Sequence, residues 1–536
     1  MYELIGGGNQ WNEIFRHNGP YFPPKYEKHN IPVYINNKKI ILPELAEEYI
    51  TIYCNYLETE YIKNPRFNKN FLLDFNKFLP NDLKLSDMKE ININEVNKHV
   101  KKQKDQNKQI SKEEKQRKKE KQDKIEEPYK SCIIDGAQQK VGNYRIEPPG
   151  IFMGRGNHPK LGRLKKRILP QDITLNLDKN APIPKANEDG RWKKIVHKKD
   201  AIWLATWVDE ISGKNKYIFT SMESIFKSKS DESKFDLAKK LKSKVKSIRE
   251  SYERNLSSDS VTNRQLSVAL YFIDNFALRV GGKKNIKEKA DTVGVTSLRV
   301  EHITLLPDYT IKLDFLGKDS IRFCKKTKVI QPVYNNLESF IRGKNNKESL
   351  FDKISASSLN DYLDSFLKGL TAKVWRTFNA SYTFQKELNK MNEDKLKNLD
   401  ESERTNFLIQ FFNQANTAVA LLCNHQKNVS SNFEEGVKKI NDKIKDLQKK
   451  KLEFTKKGKN NKAVKLGNKI KILKVQKDTK TKMKNVSLGT SKTNYIDPRI
   501  IFSFIKKYEI PEDKLFTKTL LSRFEWARSV SKDYKF

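Results

Sequence analysis

The sequence predicts an α+β protein of several domains, and three of its features carry this prediction. Its 536 residues are more than a single hydrophobic core accommodates, so about two to four domains are expected. Residues 131–225 alternate short apolar runs with turn residues, as strands do, whereas residues 226–428 read mainly as helices around one pair of strands. A lysine-rich tract then carries apolar residues at heptad spacing. Strand-rich and helix-rich regions are therefore expected to form separate parts of the chain.

Turn residues and periodicity predict the individual elements in order. The segments "AIWLATWVD" and "KYIFTSM" predict two strands on either side of a turn at Ser212 and Gly213. Helices are predicted over Phe235 to Leu256 and over Val261 to Val280, and the strands "TIKLDF" and "DSIRFC" follow them. Further helices end in "TAVALLCNHQK". The second half of the chain is thus predicted to be mostly helical.

Two strongly charged segments are also predicted to be helical. In the first, Ile110 to Lys130, Ser111 followed by Glu114 fits a capping box, and its charged surface is either solvated or steered toward phosphates. The second has a seam of apolar residues spaced by four and three. Its members are Phe433, Val437, Ile440, Ile444 and Leu447, then Ala463, Leu466, Ile470 and Leu473 after a break at Gly458 to Asn461. This pattern predicts an antiparallel helical hairpin with a basic exterior.

The composition favours a nucleic-acid partner. The chain has 106 Lys+Arg against 66 Asp+Glu, which gives a net charge of +40. The positive side chains repel one another unless a polyanion is nearby. Nucleic acid is favoured because basic contacts to phosphates release counterions, and an anionic membrane surface is the weaker alternative. The N-terminus lacks a signal-peptide pattern, and no apolar run approaches the ~20 residues that span a bilayer. Four widely spaced cysteines, which match no zinc motif, fit a reducing intracellular compartment: Cys54, Cys132, Cys324 and Cys423.

Several common chemistries have no motif in this sequence. No G-x-x-x-x-G-K-[ST] phosphate loop occurs, and "RVGGKKN" and "FLGKDS" do not fit one. There is no H-E-x-x-H or cysteine-rich metal motif. We therefore expect no nucleotide-driven work. A magnesium site made of carboxylates stays open at this point, although nothing in the sequence points to one.

Tyr495 lies in "LGTSKTNYIDPRI" near the C-terminus and is either a packing residue or a nucleophile. A tyrosine that cleaves a phosphodiester needs help, because its phenol has a pKa near 10 and must approach an anion. Arg, Lys and His must stabilise charge on the nonbridging oxygens, and a positioned acid must protonate the leaving alkoxide. Arginine suits this role because its fork meets two phosphate oxygens and stays charged. Residue types alone do not select among 106 basic side chains and 20 tyrosines.

Six segments, in order along the chain, resemble the eukaryotic type IB DNA topoisomerases. Besides "SKTNYIDPR", they are "RIEPPGIFMGRGNHPKLG", "ADTVGVTSLRVEHI", "DFLGKDSIR", "LTAKVWRTFNAS" and "LLCNHQ". The match runs from about Trp11 to Phe536. The resemblance implies an isomerase that relaxes positive and negative supercoils by transient single-strand cleavage through a 3′-phosphotyrosyl intermediate, strand rotation and religation. It also implies that neither ATP nor a divalent metal is required.

The resemblance implies a catalytic role for five residues. Tyr495 matches the nucleophile, and Arg279 of "ALRVGG" and Arg376 of "VWRTF" match the two phosphate-clamping arginines. His425 of "CNHQ" matches the histidine that hydrogen-bonds a nonbridging oxygen. Lys318 of "LGKDS" matches the lysine that reaches into the minor groove and protonates the leaving 5′ oxygen.

Other positions resemble residues that contact DNA near the break. They are Arg155, His158, Asp319, Lys373, Thr490 and Asn494. In the family, the positions of Arg155, Asp319 and Asn494 also line the site of the camptothecin class of inhibitors. Sensitivity to that class is therefore a hypothesis for this chain.

The family fold implies a bilobed clamp around duplex DNA, acting as a nuclear monomer. The implied divisions are an N-terminal segment and start of the core (1–23), an α/β cap (24–110), a mixed α/β subdomain with the charged helix (111–223), a mostly helical catalytic subdomain (224–428), a basic coiled-coil linker (429–486) and a small helical C-terminal domain (487–536). Two alternatives stay open. A tyrosine recombinase uses the same Arg-Lys-Arg-His-Tyr chemistry but joins strands of two DNA molecules, and an inactive architectural DNA binder forms no covalent intermediate.

Overall fold

The structure is a computed structural model that describes residues 10–282, 284–285, 289–397, 399–427, 432–482 and 484–536. The first nine residues of the predicted N-terminal segment and the predicted boundary at 428/429 lie outside the described residues. The chain divides into two compact units. The first unit comprises Met1–Ser230 and Lys284–Asp291, and the second comprises Asp231–Lys283 and Thr292–Phe536. Both contain strands as well as helices, so the mixed α/β class is confirmed. The finer domain boundaries stay predictions.

The first unit combines short strands with helices. In chain order its elements are β1 (Phe15–His17), β2 (Val33–Ile35), β3 (Lys38–Ile40), α1 (Glu44–Cys54), α2 (Pro65–Phe75), β4 (Ile91–Asn92), α3 (Asn94–Gln109), α4 (Lys112–Glu126), β5 (Ser131–Ile134), β6 (Ala137–Lys140), β7 (Gly150–Ile151), β8 (Leu164–Lys165), β9 (Thr174–Asn176), β10 (Lys194–Val196), β11 (Trp203–Asp209) and β12 (Lys214–Phe219). The described strands form sheets of order β1-β5-β6, β3-β2-β4, β7-β8 and β10-β9-β11-β12, in which only β9 and β10 pair in parallel. The predicted hairpin is β11–β12, and its turn contains Gly213 at φ 65.

Two hydrophobic cores stabilise the first unit. One packs aromatic rings of α1 and α2, with Tyr53 and Phe71 ring centroids 4.3 Å apart, and it also takes in Ile151 and Leu164 of β7 and β8. The other gathers residues of β5, β9 and β11 around Trp11 and neighbouring aromatic residues.

The charged helix predicted over Ile110 to Lys130 is shorter in the structure, where α4 covers Lys112–Glu126. Its Ser111 side chain accepts a hydrogen bond from the Glu114 backbone N–H at 3.0 Å, so the Ser111 half of the predicted capping box is confirmed.

The second unit is mostly helical. Its elements are α5 (Ile225–Asn255, which begins in the first unit), α6 (Val261–Phe276), β13 (Ile303–Leu306), β14 (Thr310–Leu316), β15 (Arg322–Lys328), α7 (Gln331–Ile341), α8 (Ala356–Phe366), α9 (Ala372–Leu388), α10 (Glu401–Leu422), α11 (Phe433–Lys456), α12 (Asn460–Lys482), α13 (Leu488–Asn494), α14 (Pro498–Tyr508), α15 (Glu512–Leu515) and α16 (Lys518–Arg523). Strands β13, β14 and β15 form an antiparallel sheet. The strands β14 and β15 correspond to the two predicted strands, whereas β13 was not predicted. One core, which buries Trp375 completely, runs through the unit.

Two predicted helix ends in the second unit are wrong. Helix α5 begins ten residues before the predicted Phe235, in a polar stretch that lacks apolar periodicity. Its buried Asp231 forms an ion pair with Arg523, a tertiary contact that sequence periodicity does not reveal. Helix α6 ends at Phe276 rather than Val280, because Ala277 adopts a left-handed conformation with φ 48. Backbone carbonyl groups that follow Ala277 therefore accept hydrogen bonds from outside this helix.

Helices α11 and α12 form the predicted antiparallel hairpin. The Lys484 ammonium lies 5.2 Å from the centroid of the Phe433 ring. At the opposite end of the hairpin, the Lys462 ammonium lies 5.8 Å from the centroid of the Phe454 ring. Ile444, from the predicted seam, is buried between the helices. Within the described residues, no helix has the length and apolar character needed to cross a membrane.

Candidate active site

Helix α9 carries the most deeply buried of the predicted site residues. Arg376 is 4% exposed, and its guanidinium donates to the carbonyl oxygens of Ala277 and Cys423. Its Nε is buried and has no hydrogen-bond partner among the described residues, and no carboxylate in that part of the chain pairs with it. Burial lowers the pKa of Arg376 from its usual value. The site therefore holds a buried positive charge without a counter-charge from the described protein.

Arg279 is placed by the chain that follows α6. The Arg279 carbonyl accepts a hydrogen bond from the Val295 N–H at 2.9 Å, which ties this segment to residues 293–296. The two backbones meet at Gly281 and Gly294, so closely that a Cβ on Gly294 would lie 2.5 Å from the Gly281 nitrogen. This close contact between the two backbones fixes the position of the Arg279 backbone. The Arg279 Nη1 donates to the Tyr495 hydroxyl oxygen at 2.7 Å.

His425 follows the end of α10, after Asn424 in a left-handed conformation with φ 50. Its backbone N–H donates to the Ala420 carbonyl at 2.8 Å, which turns the ring into the site. Its Nε2 lies 3.3 Å from Arg376 Nη2. Burial first, then the charges of Arg376 and Arg279, lower the pKa of His425 to about 3. The imidazole is therefore neutral at physiological pH.

Tyr495 lies at the C-terminal end of α13 and is 5% exposed. Its ring stacks on His425 with centroids 5.2 Å apart, and the Arg376 guanidinium carbon lies 5.1 Å from the ring centroid. Ser381, five residues after Arg376 on α9, donates to the Tyr495 carbonyl at 3.0 Å and accepts from the Asp497 N–H at 3.0 Å. One helix therefore supplies an arginine of the site and the anchor for the backbone of the tyrosine.

Lys318 lies at the tip of the β14–β15 hairpin. Asp319 and Ser320 both have positive φ, 68 and 59, and the Ser320 N–H donates to the Gly317 carbonyl at 3.0 Å. The Gly317 N–H donates to the Ile321 carbonyl at 2.8 Å and closes the hairpin. Lys318 is exposed and lines a pocket of the second unit. That pocket is also lined by Arg279, Arg376, His425, Asp319 and Thr490.

The remaining predicted DNA-contacting residues lie in different places. Lys373 is exposed on α9, one turn before Arg376, and Asn494 is exposed beside Tyr495. Arg155 and His158 belong to the first unit, on the chain between β7 and β8. Arg155 is exposed, and the half-buried His158 packs its ring edgewise on Phe152 at 4.8 Å.

Three family models match successive parts of the chain. Residues 9–220 match the DNA-binding fragment of eukaryotic DNA topoisomerase I, residues 223–458 its catalytic core, and residues 467–536 the C-terminal topoisomerase domain. DNA topoisomerase 1 of Caenorhabditis elegans is 39% identical over 561 residues, covering 99% of this chain and 68% of the relative. The human enzyme of that name is 38% identical over 564 residues, with 99% and 72% covered. That of Candidozyma auris is 37% identical over 640 residues, with 100% and 84% covered.

The chain belongs to the eukaryotic DNA topoisomerase I family. This membership confirms the resemblance drawn from the six segments and the predicted class of enzyme, a type IB DNA topoisomerase. The roles of individual residues stay predictions. Within the second unit, however, the four residues predicted to be catalytic besides Tyr495 either contact Tyr495 or line the adjoining pocket.

Two site residues of this topoisomerase were missed by sequence reasoning. Ser381 is the last residue of the segment "LTAKVWRTFNAS", but no role was predicted for it, and its contact with Tyr495 joins residues 114 positions apart. Ser491 Oγ lies 2.7 Å from His425 Nδ1. Ser491 precedes Tyr495 by four residues, so a helix over this stretch places both on one face, and that spacing was a usable signal. Within the described residues, no group of three or more His, Cys, Asp and Glu side chains is arranged to hold a metal ion.

Proposed function

We propose that Tyr495 cleaves one strand of duplex DNA while Arg279, Arg376 and His425 hold the scissile phosphate. The observation that carries this assignment is the pair of arginines converging on the Tyr495 hydroxyl and ring, one of them buried without a carboxylate partner among the described residues. A phosphodiester is the anion that such a site suits, because arginine meets its nonbridging oxygens with two donors.

In the proposed reaction, the Tyr495 oxygen forms a bond to phosphorus as the bond from phosphorus to the 5′ oxygen breaks. The Tyr495 hydroxyl passes its proton to water, the Lys318 ammonium gives a proton to the leaving 5′ oxygen, and water returns a proton to the Lys318 amine. Arg279, Arg376 and neutral His425 donate to the nonbridging oxygens, where charge builds in the transition state. The product is a 3′-phosphotyrosyl linkage and a free 5′ hydroxyl.

Religation is the same reaction in reverse. One phosphodiester replaces another, so bond energy is kept and resealing needs no ATP. The positive charges of Arg279, Arg376 and Lys318 balance the negative charge of the phosphate, so we propose that a divalent metal is not required. Between cleavage and religation, the free end rotates about the intact strand and relaxes supercoils of either sign.

The DNA-binding role extends beyond the reacting phosphate. We propose that the chain acts as a monomeric, bilobed clamp around duplex DNA in the nucleus. The contacts nearest the break come from Arg155, His158, Asp319, Lys373, Thr490 and Asn494. The net charge of +40 supports binding that is mostly to phosphates and falls steeply with salt. Arg155, Asp319 and Asn494 are also the proposed contacts for camptothecin-class inhibitors, and drug-stabilised cleavage complexes are the measurement that tests them.

Relaxation of supercoiled plasmid, with chelator present and ATP absent, tests the reaction. The wild-type chain is expected to relax both signs of supercoiling and to leave a 3′-linked adduct when detergent traps the reaction. Tyr495→Phe, which removes only the hydroxyl, is expected to do neither. Tyr508→Phe is the matched control, since Tyr508 is also buried in the C-terminal helices but donates to Glu393 instead.

Three outcomes would contradict the proposal. Relaxation by Tyr495→Phe would show that another residue is the nucleophile. Tight DNA binding by the wild-type chain without relaxation or an adduct would leave an architectural DNA binder. Joining of strands from two different DNA molecules would instead indicate a recombinase.

A further inference from the structure

Ser491 links the helix that carries Tyr495 to the histidine of the site. It is fully buried on α13, and its Oγ lies 2.7 Å from Nδ1 of His425. Its carbonyl accepts hydrogen bonds from the N–H groups of Tyr495, at 2.9 Å, and Ile496, at 3.0 Å. The same residue therefore contacts the His425 ring through its side chain and the tyrosine through its backbone.

The two ring nitrogens of His425 face different kinds of partner. Nδ1 meets a hydroxyl, which either donates or accepts, whereas Nε2 lies 3.3 Å from the Arg376 guanidinium, which only donates. A neutral imidazole carries hydrogen on one nitrogen only. Without substrate, Arg376 favours a lone pair on Nε2 and hence hydrogen on Nδ1, with Ser491 as the acceptor.

A phosphate oxygen reverses this preference. It only accepts hydrogen bonds, so the role proposed above for His425 requires hydrogen on Nε2. Nδ1 then carries a lone pair and needs a donor. Among the described residues, two side chains contact the ring nitrogens, and of these only Ser491 is placed to donate to Nδ1.

We propose that Ser491 is a positioning residue that holds His425 in its Nε2–H tautomer when DNA is bound, by turning its hydroxyl from acceptor to donor. This inference rests on the proposed role of His425. The two tautomers have the same atoms and the same charge, so the change consumes no co-reactant. Because Ser491 also holds the Tyr495 backbone, docking of α13 delivers the nucleophile and prepares the histidine together.

The tautomer is measured directly by NMR of the full chain labelled with ¹⁵N-histidine. The Tyr495→Phe chain bound to a DNA duplex is used, because it keeps the stacked ring and does not cleave. His425 is expected to show hydrogen on Nε2. Adding Ser491→Ala is expected to give hydrogen on Nδ1 or a mixture of the two tautomers.

Kinetics in the chain with Tyr495 intact provide the second readout. Ser491→Ala is expected to slow single-turnover cleavage by about 10- to 100-fold, by analogy with the range found when an outer hydrogen bond to a metal-bound histidine is removed. Ser491→Thr keeps the hydroxyl and is expected to recover most of the rate. Ser503→Ala is the matched control. It removes a buried hydroxyl of α14 that donates to the Lys532 carbonyl, and the cleavage rate should stay unchanged.

Separate outcomes overturn this inference and the proposed function. Hydrogen that stays on Nε2 in the DNA complex of the Ser491→Ala chain overturns the inference and leaves the role of His425 standing. Hydrogen on Nδ1 in the DNA complex with Ser491 intact overturns both the inference and that role, and this holds even if Ser491→Ala fails to fold. Wild-type cleavage by Ser491→Ala, while His425→Ala is slow, also overturns the inference and leaves the role of His425 standing. Wild-type cleavage by His425→Ala shows instead that the proposed role of the histidine is wrong.

Discussion

Two arginines are almost completely buried in the second unit, and their surroundings differ. Arg523 is 3% exposed and forms an ion pair with Asp231, whose Oδ2 lies 2.7 Å from its Nη2. Arg376 is 4% exposed and contacts carbonyl oxygens, a neutral histidine and a tyrosine ring, with no carboxylate partner among the described residues. A buried charge is costly unless it is paired. Arg523 has its anion within the protein, whereas Arg376 retains its charge for an anion that the substrate supplies.

Helix α13 and its neighbours show why this difference matters for function. Arg523 joins α16 to the start of α5 and so helps to fix the C-terminal helices, which carry Tyr495. Arg376 lies beside the tyrosine ring itself. We therefore expect loss of Arg523 to affect stability and loss of Arg376 to affect chemistry, although burial alone does not distinguish them.

Arg523→Ala is expected to give the largest effect, a loss of about 3–5 kcal/mol in the free energy of unfolding, because Asp231 is left buried without its partner. Lys234, 3.5 Å from Asp231, also donates to the Asn494 carbonyl and replaces the arginine only in part. Urea unfolding measures the change. The double variant Asp231→Leu/Arg523→Met should recover most of the loss. A loss below about 1 kcal/mol would indicate a pair no stronger than those on the surface.

Arg376→Ala is the same truncation at the other site. We expect single-turnover cleavage to fall by about 10²–10³-fold, equivalent to about 2.7–4 kcal/mol, because a donor to the transition-state oxygens is lost. DNA affinity should change by only a few-fold, since many other basic residues bind phosphates, and the loss of stability should be smaller than for Arg523→Ala. If affinity and cleavage fell by equal factors, Arg376 would be a binding residue rather than a clamp on the transition state.

The sequence predicted more of the architecture than of the site. The heptad seam predicted α11 and α12 because its spacing is local, and the turn at Gly213 predicted β11–β12 for the same reason. The start of α5 was missed because its buried Asp231 depends on a residue almost 300 positions later. Composition and spacing did not select Arg376 from the other basic residues; only the family resemblance did. Ser381 lies in one of the six matching segments, but its role was not predicted, because nothing in its local sequence reflects a contact made across the fold.

The smallest expected effect concerns two buried histidines. The pKa of His425 is lowered to about 3 by burial and two arginines, and that of His17 to about 4 by burial, opposed by backbone hydrogen bonds. Because an unfolded histidine has a pKa of about 6.5, the unfolded chain binds more protons between these values. The stability due to neutral His425 is therefore complete above about pH 6.5 and is lost as the pH falls.

Urea unfolding at pH 7, 6 and 5 should show a free energy of unfolding that falls with pH. In His425→Gln this fall should be smaller, by at most about 1.4 kcal/mol per pH unit. An equal pH dependence in the two chains would show that the pKa of His425 is not lowered.

Bound DNA should affect the two histidines differently. A phosphate next to Arg376 and Arg279 offsets the positive charges that oppose protonation of His425. In an NMR titration of the Tyr495→Phe chain, DNA should raise the pKa of His425 and leave that of His17 unchanged. If both histidines shifted alike, the response would come from the overall charge of the complex rather than from a phosphate held at the two arginines.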